Sequence, residues 1–321
     1  MRVALSVPAT TSNLGGGFDC VGIAVDPRLH LVADLPATGA ALALARTGSL
    51  ATLDTAPVDD LIVAGFRAAC ARAHRAPPPR VAFHVTSEIP VGRGLGSSAA
   101  AIVAGAGAAN ELLSLGLSRD AIIALGAALE GHPDNIAPAV RGGAVLAVPA
   151  ADGQLVIAPL HVHASLRFVF AVPDFAVDTH RARAALPRAV SHADARAAAA
   201  ASAALVAGLE RGDPALLGAG LHGPLHVPYR RPLVMGYDDV ERAARAAGAI
   251  GATLSGSGSS VVAIASAERA PGVAGAMAAA WATHTVQVMT FVSSPSARGV
   301  ETEEAFRAGS RNIAPNSGIL Q

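Results

Sequence analysis

Lysine is absent from the 321-residue sequence, so all 24 of its basic side chains are arginine. That excludes a Schiff-base lysine, the lysine of a Walker A phosphate loop and the ATP-binding lysine of protein kinases. Cysteine is nearly absent. Cys20 and Cys70 are too few for a disulfide framework or a thiolate metal site, and they read as small buried side chains. Net charge is also lacking, because 24 acidic residues balance the 24 basic ones, and no basic footprint for nucleic acid results. No apolar run approaches the ~18 residues of a membrane span. The opening MRVALSVPATT has neither a long apolar stretch nor a small-residue cleavage site. The expectation is a soluble, cytoplasmic protein with no nucleic-acid or membrane partner.

What is present is 52% hydrophobic, largely alanine and valine spread along the chain, with 33 glycines. At roughly 100 to 200 residues per domain, the length suggests two domains. Short Val/Leu/Ile runs at 2–7, 18–25 and 29–35 predict strands, and an Ala/Arg pattern over 58–75 predicts a helix that stops before three prolines. Further strands are expected at 81–86, 142–148, 166–172, 260–265 and 285–292. Helices are expected at 97–113, 119–130, 190–210 and 235–247. The turn at 149–154 reads as a domain seam, which divides the chain into residues 1–153, residues 154–307 and a polar tail at 308–321. Strand and helix runs mix without strict alternation, so the fold class is α+β rather than one doubly wound sheet.

The strongest local signal is Pro90-Val-Gly-Arg-Gly-Leu-Gly-Ser-Ser-Ala99, set between a strand and a helix. Gly92, Gly94 and Gly96 let successive N–H groups converge on one anion. Ser97 and Ser98 open a helix whose positive end points the same way, so the loop can hold phosphate without lysine. Gly94, Gly96 and Ala99 also satisfy G-x-G-x-x-A. The acid that a dinucleotide fold needs ~20 residues on could only be Asp120, which follows a helix cap and not a strand. None of Ser97, Ser98 and Ser257 sits in a nucleophile elbow.

Two more segments accompany this loop in fixed order: Pro8-Ala-Thr-Thr-Ser-Asn13-Leu-Gly-Gly-Gly-Phe-Asp19 and Gly251-Ala-Thr-Leu-Ser-Gly256-Ser-Gly-Ser-Ser-Val-Val. Together the three resemble the signature of the GHMP small-molecule kinases over nearly the whole chain. The resemblance implies a two-domain architecture, with an N-terminal, ATP-binding domain like the second domain of ribosomal protein S5 and a ferredoxin-like C-terminal domain. ATP and the acceptor would bind in the cleft between them. It further implies nucleotide contacts from Pro90, Gly92, Arg93, Gly94, Leu95, Gly96, Ser97, Ser98 and Ala99, with Asp60 near the adenine where many relatives have Asn.

Within that superfamily, Glu130-Gly-His-Pro-Asp134-Asn135-Ile-Ala-Pro-Ala, Asp178-Thr179-His-Arg-Ala-Arg183-Ala-Ala-Leu-Pro and Leu225-His-Val-Pro-Tyr-Arg230 resemble the homoserine kinases. The implied acceptor is L-homoserine. Its carboxylate would suit Arg183 and Arg230, because a guanidinium fork binds both oxygens. Its ammonium would be met by Asn13, Asp19, Asp134 and Asn135, with Gly256 also at the substrate. Mg²⁺ would take Ser98 and Glu130, and Thr179 would steer the acceptor hydroxyl. Ser259 and His180 replace the usual Pro and a frequent Lys. A mevalonate-type kinase, or a non-catalytic metabolite sensor on the same fold, remains open at this point, as does a homodimer.

Overall fold

The computed structural model describes residues 1–36 and 38–303. A first sheet is built from β1 (Arg2–Ser12), β2 (Val21–Asp34), β3 (Leu42–Gly48), β4 (Val81–Ser87), β5 (Ala144–Pro149) and β6 (Leu155–Leu160). Four helices accompany it: α1 (Leu61–Arg72), α2 (Ser97–Leu112), α3 (Arg119–Glu130) and α4 (Ile136–Arg141). The second part holds β7 (Leu166–Pro173), α5 (Thr179–Ala184), α6 (His192–Arg211), α7 (Pro214–Gly220), α8 (Val227–Arg230) and α9 (Tyr237–Ala246). It ends with β8 (Gly251–Leu254), β9 (Val261–Ser266), α10 (Ala270–Ala282) and β10 (Val288–Ser293). A two-residue β11 (Glu301–Thr302) then returns to pair with β1.

The sheets run β11-β1-β2-β4-β3, with β5 and β6 attached through β2, and β10-β7-β9-β8. In the second sheet all neighbours are antiparallel and the outer strand β10 lies beside β7, which is the split βαβ order of a ferredoxin-like domain. Mixed strands and helices in two such units bear out the α+β expectation.

Three differences from the sequence reading have local causes. The runs expected at 18–25 and 29–35 are one strand, β2. Pro27, expected to break it, sits where the β1–β2 register shifts at Pro8/Ala9, and a bulge tolerates a residue without an N–H. The helix expected from 58 starts at Leu61, because the Asp60 carboxylate accepts from the Ile62 N–H at 2.8 Å and caps it there. The division expected between 153 and 154 falls inside the β5–β6 hairpin. The Ala150 N–H donates to Gln154 O at 2.7 Å and the Asp152 side chain accepts from Gln154 N, so β6 stays with the first sheet. The change of sheet comes between Leu160 and Leu166. The expectations did not include β3, β6, β8 and β11, nor the helices α4, α5, α7, α8 and α10. The tail expected from 308 lies outside the described residues.

α2 is buried along nearly its whole length between the sheet and α1. Its alanines allow that close fit, and Phe66 of α1 meets Phe83 of β4 edge-on at 5.4 Å. Each such buried ring contributes about 1.5–3 kcal/mol. The result holds the N-terminus of α2 fixed at the edge of the cleft.

Candidate active site

A cavity of about 400 Å³ opens between the two parts of the chain, within the ~300–1,000 Å³ range of small-molecule sites. The three motifs converge on it. Thr10 N donates to Leu95 O at 3.1 Å, and Gly256 N to Ser12 O at 2.8 Å. The Ser255 hydroxyl donates to Gly94 O at 2.6 Å, which leaves Thr11 to donate to Ser255 Oγ at 2.8 Å. Segments 8–19, 90–99 and 251–262 are therefore one hydrogen-bonded unit.

The glycine loop requires its glycines. Gly94 and Gly96 have φ of 74° and 66°, and a Cβ on them would lie 2.0 Å from Ser255 O and 1.9 Å from Thr10 Oγ1. Gly92, Gly94, Gly96, Ser97 and Ser98 line the cavity, and the free N–H groups of the first turn of α2 face the same space. Pro90, Arg93, Leu95 and Ala99 do not line it. Leu95 and Ala99 are core side chains. Arg93 turns away, donating to Pro173 O at 3.0 Å and Asp174 O at 2.7 Å, so it ties the loop to the end of β7.

Ser98, in the first turn of α2, donates a 2.5 Å hydrogen bond to Glu130 Oε1 at the last residue of α3. Gly131, in the left-handed region, ends α3 there and leaves the carboxylate at the cavity wall. Among the described residues no cluster of three or more His, Cys, Asp or Glu could cage a metal. A hydroxyl and one carboxylate beside a phosphate loop fit Mg²⁺, which keeps waters and shares phosphate oxygens rather than taking a full protein cage.

At one end the cavity is apolar, lined by Leu50, Leu53 and Ile62. Asp60 lies there, but besides capping α1 its carboxylate accepts from Arg46 Nε at 3.0 Å and Nη2 at 2.6 Å. It is a buried structural ion pair beside this apolar lining, not a free acceptor.

A polar part of the lining is made by Asn13, Asn135, Thr179, Arg183, Arg230 and Gly256. Asn135 is fixed from both sides of its amide, accepting from Thr10 Oγ1 at 2.8 Å and donating to Ser12 Oγ at 2.9 Å. Thr179 Oγ1 lies 3.3 Å from Ser257 Oγ. Arg230 is 2% exposed, and burial lowers its pKa. It donates to Ala182 O at 3.2 Å and to Gly256 O at 3.5 Å, and no carboxylate among the described residues pairs with it. Arg183 instead meets Asp19 through two bonds of 3.2 and 3.3 Å, so Asp19 stands behind the wall and not in it.

Asp134 also stands behind the wall. It is fully buried, and its Oδ1 accepts from Asn135 Nδ2 at 3.3 Å and lies 2.6 Å from His132 Nδ1. His132, which the sequence reading did not single out although it stands two residues after Glu130, lines the cavity. Burial opposes its charge, but the hydrogen bond and charge of Asp134, with Glu130 beyond, outweigh that and raise its pKa.

A glycine phosphate loop, a serine–carboxylate pair and a buried arginine in one interdomain cavity define an ATP-dependent small-molecule kinase. The sequence patterns described as GHMP kinases N terminal domain and GHMP kinases C terminal match residues 60–143 and 205–283. The chain belongs to the GHMP kinase family. It is 39% identical to a homoserine kinase of a Synechococcus species, over 95% of this chain and 99% of that protein, and 41% identical to one of Gloeobacter violaceus over 87% and 93%. The crystal structure of homoserine kinase from Cytophaga hutchinsonii superposes with a TM-score of 0.85 at 30% identity, covering 94% of this chain and 97% of that one.

Proposed function

We propose that the chain is a homoserine kinase, transferring the γ-phosphoryl group of ATP to the side-chain hydroxyl of L-homoserine in the route to threonine. The observation that carries this reading is Arg230: a buried guanidinium without a carboxylate partner among the described residues, placed in the cavity that also holds the glycine loop. A buried charge is costly unless paired, and the α-carboxylate of an amino acid is the partner it lacks. Mevalonate has a carboxylate but no ammonium, whereas this part of the cavity also presents amide acceptors through Asn13 and Asn135, with the negative charges of Asp19 and Asp134 behind them. The intact Ser98–Glu130 pair supports catalysis over a sensor role.

In this reading the loop N–H groups and the start of α2 hold the phosphates, and the apolar end near Ile62 takes the adenine. Ser98 and Glu130 would hold Mg²⁺, which supplies charge neutralisation on the phosphoryl oxygens. Arg183 and Arg230 bind the acceptor carboxylate, and Thr179 steers its hydroxyl. Transfer is mostly positioning and electrostatics through a loose transition state, so the hydroxyl proton can leave late and pass to the transferred phosphoryl oxygens. An ADP-release assay across L-homoserine, L-serine, L-threonine and mevalonate tests the reading. Turnover is expected with homoserine; turnover of mevalonate without homoserine would overturn it.

A further inference from the structure

His226 has no part in the machinery described so far, yet it sits directly behind it. It is fully buried, and it is neutral: burial first, and the charge of Arg230 second, push its pKa down to about 3. A neutral imidazole carries one N–H, and Nε2 lies 3.1 Å from Gly15 O, which can only accept. Nε2 is therefore the donor, and Nδ1 is left as a buried acceptor with no hydrogen-bond partner. The ring stacks on Phe18 with centroids 4.9 Å apart and planes within 16°. Arg230 lies 5.2 Å from the centroid of the same Phe18 ring.

These contacts join two stretches of chain. Phe18 and Gly15 belong to the turn that carries Asn13 and Asp19, whereas His226 and Arg230 are four residues apart at α8 of the second part. A second bond, from Ser202 of α6 to Gly16 O, holds the same turn. We infer that His226 is a positioning residue for the acceptor carboxylate: it fixes the Phe18 ring on which the Arg230 guanidinium rests, and so sets where Arg230 presents its charge. This rests on the homoserine kinase reading. A neutral ring is required, because a protonated imidazole would set a second buried cation against Arg230. No acceptor lies at Nδ1 to take the N–H that protonation would place there, which keeps the ring neutral at the cost of one buried acceptor without a hydrogen bond.

The test compares wild type, His226→Leu, His226→Gln and Phe18→Leu in the full chain, with KM and kcat measured for L-homoserine, for ATP and for 3-aminopropan-1-ol, the homoserine analogue without the carboxylate. His226→Leu and Phe18→Leu are expected to raise the homoserine KM roughly tenfold, the size of a desolvated cation–π contact. The ATP KM should stay within about twofold. Both variants should act on the analogue as wild type does, because their effect runs through Arg230. His226→Gln keeps an N–H donor and should recover part of the loss. Equal losses on homoserine and on the analogue would mean His226 is only structural, and unchanged homoserine KM in Phe18→Leu would sink the inference even if His226→Leu fails to fold. A wild type inactive on homoserine would overturn the functional reading and this inference with it, whereas an active wild type with unaffected variants would overturn this inference alone.

Discussion

Arg183 of α5 and Asp19 of the N-terminal turn, 164 residues apart in the chain, meet through paired hydrogen bonds of 3.2 and 3.3 Å at the wall of the cavity. Both side chains are substantially exposed, at 42% and 32%, so the pair adds only ~0–1 kcal/mol to folding. What it does is hold the Arg183 guanidinium at the cavity wall, with the Asp19 carboxylate behind it. Arg183→Leu is expected to raise the homoserine KM by roughly 10- to 100-fold, the value of a hydrogen bond to a charged group. The carboxylate it holds does not change during transfer, so kcat should move little. Melting temperature should shift by no more than a few degrees. Steady-state kinetics with a parallel melt decide the matter: an unaltered KM would show that Arg183 serves Asp19 alone.

Ser98 and Glu130 make a different prediction, because charge builds on the phosphoryl oxygens only as transfer proceeds. Ser98→Ala and Glu130→Gln should each lower kcat by on the order of 10² or more, as losing one strong transition-state donor does. The melting temperature should hardly change for these half-buried groups. Near-normal kcat in Glu130→Gln would place the metal elsewhere.

The parts of this site that could be read from the sequence are those whose chemistry is local. The glycine loop announces itself because Gly94 and Gly96 combine a positive φ with backbone too close to Ser255 O and Thr10 Oγ1 to admit a Cβ. Ser98, Glu130 and Arg230 lie in motifs, and the structure brings them to one cavity. What the chain order hides is pairing across distance. Nothing near Arg93 shows that it will clamp Pro173 and Asp174, and nothing near Asp60 shows that Arg46 will take its carboxylate. His226 could be seen inside a motif, but its partner Phe18 stands more than 200 residues earlier. The β5–β6 hairpin reads as a seam because a Pro-Ala-Ala-Asp-Gly turn looks the same within a sheet as between domains.

Asp134 is the carboxylate nearest in character to a general base, and its position argues against that role. It is fully buried and does not line the cavity, its Oδ1 is engaged by His132 and Asn135, and its Oδ2 has no hydrogen-bond partner. A base must come within hydrogen-bond reach of the proton it takes, directly or through one water. The chain also has no lysine to pair with such an aspartate. Asp134→Asn is expected to raise the homoserine KM more than it lowers kcat, through loss of the negative charge that holds His132 and attracts the ammonium. A kcat loss beyond ~10³ with KM unchanged would instead mark an interaction made only in the transition state and identify Asp134 as the base.

His226 makes the fold sensitive to acid in a window that its burial sets. Its pKa falls from 6.5 to about 3 on folding, chiefly through burial and then through Arg230, while the Gly15 carbonyl and the Asp134 charge pull the other way. Between those two values the unfolded chain binds a proton that the folded chain refuses. Stability therefore rises with pH across the window: the contribution of His226 is complete above about 6.5 and is lost progressively as pH falls toward 3. His132 works in the opposite sense, because its raised pKa gives stability that is present at low pH and lost as pH rises through the folded value. The two are separated by substitution and not by the wild-type curve alone. Denaturant unfolding of wild type and His226→Gln at intervals from pH 4 to 8 should give curves whose difference is flat above ~7 and changes in favour of the variant at each step below ~6.5. A difference independent of pH over that range would mean that the imidazole takes up its proton inside the folded protein, and that its surroundings are not closed to charge.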